Sequence, residues 1–118
     1  MAHNVKRIST HVLDVSLGRP ATNIPVALHK RGANGSWLSL CVSQTGEEGR
    51  CSQLLPENET LAAGTYRLTF DTANYFLGRK METLFPFVEI VFQVREGESE
   101  FHIPLLLSPY GYTTYRGS

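Results

Sequence analysis

Runs of alternating apolar and polar residues, cut about every 8–12 positions by turn-forming residues, constrain this chain more than any other feature. A period of two sends successive side chains to opposite faces of an extended strand, whereas a helix needs 3.6. Residues 8–15 (ISTHVLDV) put Ile8, Thr10 and Val12 on one side and His11 and Leu13 on the other. Further strands are expected over 24–31 (IPVALHKR), 36–45 (SWLSLCVSQT), 65–70 (TYRLTF), 84–94 (LFPFVEIVFQV) and 100–107 (EFHIPLLL). In 84–94, Val88, Ile90, Phe92 and Val94 share a face, and a last strand follows the turn SPYG at 108–111. The other turns are GRPA at 18–21, ANG at 33–35, GEEG at 46–49 and REGE at 95–98. One stretch departs from the period: Asp71-Thr72 caps an expected short helix over 72–78 (TANYFLG), with Gly78 as its stop. Seven or eight short strands and one helix predict an all-β sandwich, a single domain over 1–118 with residues 1–6 as a flexible lead-in.

Charge and apolar content then narrow the partners. Eleven basic and 11 acidic residues give a formal net charge of zero, which argues against nucleic acid and against a membrane surface. No window approaches the ~18 apolar residues of a bilayer span. The opening MAHNVKRIST has no apolar core of a secretory signal, so Cys41 and Cys51 are expected to stay reduced. The sequon Asn58-Glu59-Thr60 is then a chance match. A cytoplasmic location is expected, with the peroxisome as the alternative, although the ending is not Ser-Lys-Leu.

The chemistry has to come from scattered histidines and arginines. There is no glycine-rich phosphate loop, no CxxC pair and no nucleophile elbow. Taken by its strand alone, His11 is an exposed histidine opposite the core face. His102 shares its face with Pro104 and Leu106, while Phe101, Ile103, Leu105 and Leu107 fill the other. A strand apolar on both faces is covered on both: one face lies on the sandwich core, the other against a second subunit. His102 is therefore either a hydrogen-bonded structural residue or a proton carrier in an interface or channel, and both stay open. Arg50 follows a tight turn; it is a solvated loop residue or a planar fork for a carboxylate or polarised carbonyl. Cys51 reads as a bystander thiol, since nothing pairs it with a base. His3 and His29 read as surface residues. Metal-ligand spacing such as HxH or HxxxH is absent, so no metal site is expected.

Four segments in order carry a resemblance: THVLDVSLGRPA at 10–21, GRC at 49–51, FPFVEIVF at 85–92 and FHIPLLLSPYGYTTYRGS at 101–118. Together they resemble the 5-hydroxyisourate hydrolases, the transthyretin-like enzymes of urate breakdown, over essentially the whole chain. The resemblance implies a transthyretin-like β-sandwich of two four-stranded sheets with one short helix. It implies a homotetramer, a dimer of dimers, with paired sites in channels between the dimers and the C-terminal tail packed into them. It also implies site residues: His11, Arg50, His102 and Ser118 as catalytic, and His11, Arg50, Tyr115, Arg116 and Gly117 as substrate-binding. No metal or organic cofactor is expected. Two departures from the family pattern are Glu100, where many members have histidine, and Thr113, where many have serine.

The implied reaction is hydrolysis of 5-hydroxyisourate to 2-oxo-4-hydroxy-4-carboxy-5-ureidoimidazoline. His11 or His102 would polarise water, and Arg50 would hold the oxyanion. Two other readings stand beside it. One is a non-catalytic carrier like transthyretin, which lacks the first histidine and the Tyr-Arg-Gly-Ser ending. The other is a protein-binding sandwich with an idle site. The ring of Tyr115 is expected to close the deep end of the channel, leaving a shallow polar pocket rather than a long apolar tunnel.

Overall fold

The computed structural model describes residues 6–118; His3 and most of the expected lead-in lie outside them. Among the described residues nine strands and one helix follow in the order β1 (Arg7–Asp14), β2 (Arg19–Pro20), β3 (Pro25–Arg31), β4 (Trp37–Gln44), β5 (Arg50–Cys51), β6 (Gly64–Phe70), α1 (Thr72–Gly78), β7 (Val88–Val94), β8 (Glu100–Ser108) and β9 (Gly111–Thr114). One sheet has the order β4-β3-β6-β7 and is antiparallel throughout. The other has the order β2-β1-β8-β9, with β5 also paired to β1. This second sheet holds five strands rather than four, because the segments after the 15–18 and 46–49 turns each pair briefly with β1. The GRPA stretch is thus only half turn, its Arg19-Pro20 being β2.

In β1 and β8 the apolar face read from sequence is the buried one; in β7 Phe92 of that face is only half-buried, and β4 buries none of its residues fully. Ile8, Thr10 and Val12 are buried in β1, as are Phe101, Ile103, Leu105 and Leu107 in β8. They meet Val26, Leu28, Tyr66, Leu68, Phe70, Val88, Ile90 and Val94 of the other sheet in one apolar cluster. The Tyr66 hydroxyl, fully interior, donates to the Ala62 carbonyl at 2.7 Å, so burying it leaves no polar group unpaired.

Two boundaries differ from expectation. The strand expected over 84–94 starts only at Val88. Pro86 has no N–H for the ladder, and its carbonyl accepts instead from Ala73 N at 2.8 Å, tying this segment to α1. Gly78 is the last residue of α1 rather than its left-handed stop; Lys80 takes that conformation, with φ 58°. At the other end Asp71 caps as expected, its carboxylate accepting from Asn74 N at 3.2 Å.

α1 is fastened to the second sheet through Asp14, which is fully buried. Asp14 accepts from the Tyr75 hydroxyl at 2.6 Å, from the Arg79 guanidinium, from the Ser16 hydroxyl and from Ser16 N at 3.0 Å. Burial pushes its carboxyl up, but the bonds from Ser16 and Tyr75, the Arg79 charge and Leu17 N outweigh that and hold it below its ordinary 3.8. Tyr75 is correspondingly pushed up to about 12, by burial and by the carboxylate beside it. No helix among the described residues is long and apolar enough to cross a membrane.

Candidate active site

Strand register assembles the site. β1 and β8 run parallel, pairing Ser9 with His102 and His11 with Pro104. Both histidines therefore stand on the outward face of the same sheet, on adjacent strands about 4.8 Å apart. β5 then pairs Arg50 with His11 across the other edge of β1.

That last pairing depends on the GEEG turn. Gly49 N donates to the Gly46 carbonyl, Gly46 N to the Arg50 carbonyl, and the Gly49 carbonyl accepts from Val12 N at 2.7 Å. Gly49 has φ 77°, and a Cβ there would sit 2.4 Å from the Val12 carbonyl oxygen. Only glycine meets both demands, and its fit against β1 delivers Arg50 to the histidine face. Arg50 is therefore a strand residue in fixed register, not a free loop residue.

The C-terminal tail closes the third side. Gly117 N donates to the His102 carbonyl at 2.7 Å, an isolated bridge beyond the end of β9. A Cβ on Gly117 would lie 2.5 Å from His102 Cδ2, so the tail backbone rests directly on the imidazole. Arg116 holds this course from outside: it donates to Glu98 at 2.9 Å and to the Glu100 carbonyl at 3.1 Å. Its guanidinium lies 4.4 Å from the centre of the Phe101 ring. The Arg116 hydrogen bond keeps the Glu98 carboxyl below its ordinary 4.5.

Two of the adjoining hollows carry most of the site residues. One, of about 210 Å³, lies among Arg7, Ser9, Arg50, Glu100, His102 and Ser118. The other, of about 360 Å³, lies among His11, Leu106, Pro104, Tyr115, His102 and Ser118. His102 and Ser118 belong to both. Desolvation, the Arg50 charge and His11 together lower the pKa of His102 below 6.5, so at neutral pH its ring is uncharged. Its Nδ1 shares a 2.8 Å hydrogen bond with Ser9 Oγ, which leaves Nε2 as the nitrogen available to a ligand. A neutral imidazole and a guanidinium around one polar recess, with Ser118 at its rim, suit proton transfer at a carbonyl centre.

The sequence of residues 8–117 matches the HIUase/Transthyretin family. This chain belongs to that family. The 5-hydroxyisourate hydrolase of Mus musculus is 43% identical over 119 residues, covering 100% of both chains. That of Salmonella dublin is 41% identical over 111 residues, covering 94% of this chain and 80% of its own. Among solved structures, Klebsiella pneumoniae 5-hydroxyisourate hydrolase superposes with a TM-score of 0.83 at 36% identity, over 97% of this chain and 100% of its own. Sea bream transthyretin in complex with thyroxine superposes with a TM-score of 0.87 at 30% identity, over 93% of each chain. The family carries the transthyretin-like sandwich expected from the sequence.

Of the residues singled out from the sequence, His11, Arg50, His102, Tyr115, Gly117 and Ser118 are brought to the two hollows. Arg116 lines a third hollow, of about 280 Å³, with Ser9, His102, Gly117 and Ser118, and its guanidinium bonds Glu98 and the Glu100 carbonyl. Cys51 is buried, and desolvation raises its thiol pKa, so it carries no thiolate into the recess. His29, read as a surface residue, is half-buried on the other sheet opposite Arg67, where desolvation and that arginine lower its pKa. Among the described residues no three His, Cys, Asp or Glu side chains gather as metal ligands. Reading the sequence missed Ser9 and Arg7, which line the recess. Strand parity was the available signal, since Arg7, Ser9 and His11 alternate onto one face.

Proposed function

We propose that this protein hydrolyses 5-hydroxyisourate to 2-oxo-4-hydroxy-4-carboxy-5-ureidoimidazoline, a step of urate degradation. The observation that carries this reading is the His102 imidazole beside Arg50 and Ser118, in a chain 43% identical to a hydrolase of that name. Water gives a proton to His102 Nε2 as its oxygen adds to a carbonyl carbon of the six-membered ring. Arg50 holds the oxyanion that forms, a contribution of about 3 kcal/mol for a preorganised donor. Collapse breaks the ring C–N bond, and the imidazolium returns its proton to the departing nitrogen. His11 and Tyr115 hold the substrate ring, Gly117 lets the tail lie on His102, and Ser118 orients the water. Arg116 acts through the tail by anchoring it.

The protein works as a homotetramer, a dimer of dimers. In support, β7 and β9 are unpaired sheet edges, and Val91, Tyr112 and Tyr115 project from them or just beyond them with large exposed surfaces. The free thiols of Cys41 and Cys51 fit a reducing compartment, and the cytosol is the setting proposed.

A carrier function is the second reading, favoured by the superposition on a thyroxine-binding transthyretin. One assay separates the two. Freshly generated 5-hydroxyisourate is followed by its ultraviolet absorbance with and without protein. The protein speeds the decay, and His11→Ala, Arg50→Ala and deletion of residues 115–118 each lower kcat/KM about 100-fold or more. Full rates in all three variants would put the chemistry elsewhere. No acceleration, together with tight thyroxine binding, would make the protein a carrier.

A further inference from the structure

A serine on the outward face of a strand is ordinarily solvated, yet Ser9 is only 9% exposed. Its burial follows from the parallel register, which sets it directly beside His102 and brings Oγ to 2.8 Å from Nδ1. We infer that Ser9 is a positioning residue for the hydrolysis: its Oγ accepts from His102 Nδ1–H and holds the imidazole in the tautomer whose Nε2 carries a lone pair.

Three features of the site support this direction of the bond. A hydroxyl both accepts and donates, so it serves Nδ1–H provided its own hydrogen has an outlet. Ser9 lines the recess shared with Arg50 and Ser118, and that outlet is there. The opposite edge of the ring is blocked, since the Gly117 backbone lies against Cδ2 and Cγ. A half-turn of the imidazole would face Nδ1 to the tail and Cδ2 to the hydroxyl, forfeiting the hydrogen bond. Thr10, next in the chain, is not a substitute: its Oγ1 donates to the Ile103 carbonyl at 2.6 Å on the core face.

The consequence is a fixed division of labour between the two ring nitrogens. Nδ1 keeps its proton throughout the cycle, and Nε2 takes one from water and gives it to the departing ring nitrogen. Without the hydroxyl, Nδ1 loses its acceptor. An unrestrained imidazole in water favours the Nε2–H form, which cannot accept that proton. At metal sites the partners that orient a histidine are worth about 10- to 100-fold, and the same scale is expected here.

The kinetic arm of the test rests on the hydrolase reading; the spectroscopic arm does not. Nitrogen-15 spectra of the His102 ring are recorded near neutral pH for the wild type, Ser9→Ala and Ser9→Thr, alongside kcat and KM for 5-hydroxyisourate. In the wild type and Ser9→Thr, Nδ1 is expected to show the protonated shift and Nε2 the unprotonated one. Ser9→Thr keeps the hydroxyl, so kcat is expected to stay within about threefold of wild type. In Ser9→Ala the two shifts move toward exchange between tautomers, and kcat falls about 10-fold or more while KM moves less than about threefold. A wild-type ring protonated at Nε2 would overturn the inference, as would Ser9→Ala with wild-type kcat and unchanged ring shifts. A wild type that shows the expected tautomer but does not accelerate 5-hydroxyisourate decay would sink the hydrolase and the kinetic role built on it, leaving only the hydrogen bond.

Discussion

His102 is buried enough, and close enough to Arg50 and His11, that its protonated form is disfavoured. A base with a lowered pKa works over a wider pH range on the acid side. As pH falls through that lowered value, the imidazole takes a proton and Nε2 is lost as an acceptor. The kcat/KM profile between about pH 5 and 8 is therefore expected to be flat near neutrality and to fall with a midpoint below 6.5. A midpoint at or above that value would remove His102 from the role of base. The same ring explains why residue 117 must be glycine. Gly117→Ala forces its Cβ onto Cδ2, so the tail or the imidazole has to shift. Activity is expected to fall about 100-fold with little change in Tm, because the tail is exposed and adds little to the core; unchanged activity would show that the tail contact is dispensable. The residue types of this site were legible in the chain: two histidines, an arginine and a distinctive ending. Ser9 was marked only by its parity with His11, because one hydroxyl among several in an alternating strand shows no role until its partner strand is known.

At the level of elements, one buried carboxylate joins α1 to β1. Asp14 ties β1 to Tyr75 and Arg79 of the helix region. Asp14→Asn removes the charge and leaves Arg79 without its counter-ion. A cost of about 3 kcal/mol is expected, at the lower end for a buried pair because Arg79 is partly exposed. The sign with pH is fixed by the lowered folded-state value. The stabilisation is fully present above the ordinary 3.8 and is lost as pH falls through the folded value. Chemical denaturation of both proteins should show a full gap near neutrality that narrows below about pH 4; a gap independent of pH would contradict the assignment. Strand existence was readable from period-two alternation, and the helix from its Asp71 cap. Their ends were less so: Pro86 and the left-handed Lys80 set boundaries that apolar pattern alone misplaces. The two-residue strands β2 and β5 carry no period at all, and exist only because β1 offers them a free edge.

For the whole molecule, the proposed tetramer follows from what the sandwich leaves uncovered. Pro104 is buried and Leu106 half-buried on the outward face, beside Leu13 and His11. Val15, Leu17 and Tyr110 stand exposed on the turns at the ends of β1 and β8. Sedimentation is expected to give four chain masses, with activity falling on dilution into monomers; a fully active monomer would refute the assembly. Shape alone does not choose between enzyme and carrier, since the transthyretin superposes as well as the hydrolase does. The alternation of apolar residues, the turn chemistry and the spaced motifs by themselves determined the sandwich, the family and the residue types of the site, because strand period and turn preference are local properties. Only the tertiary structure decided the parallel pairing of β1 with β8, the seating of Arg50 by Gly49, and the contacts of Ser9 and Gly117 with His102. These join segments up to 93 residues apart, and nothing local in a chain encodes which distant strand will lie beside it.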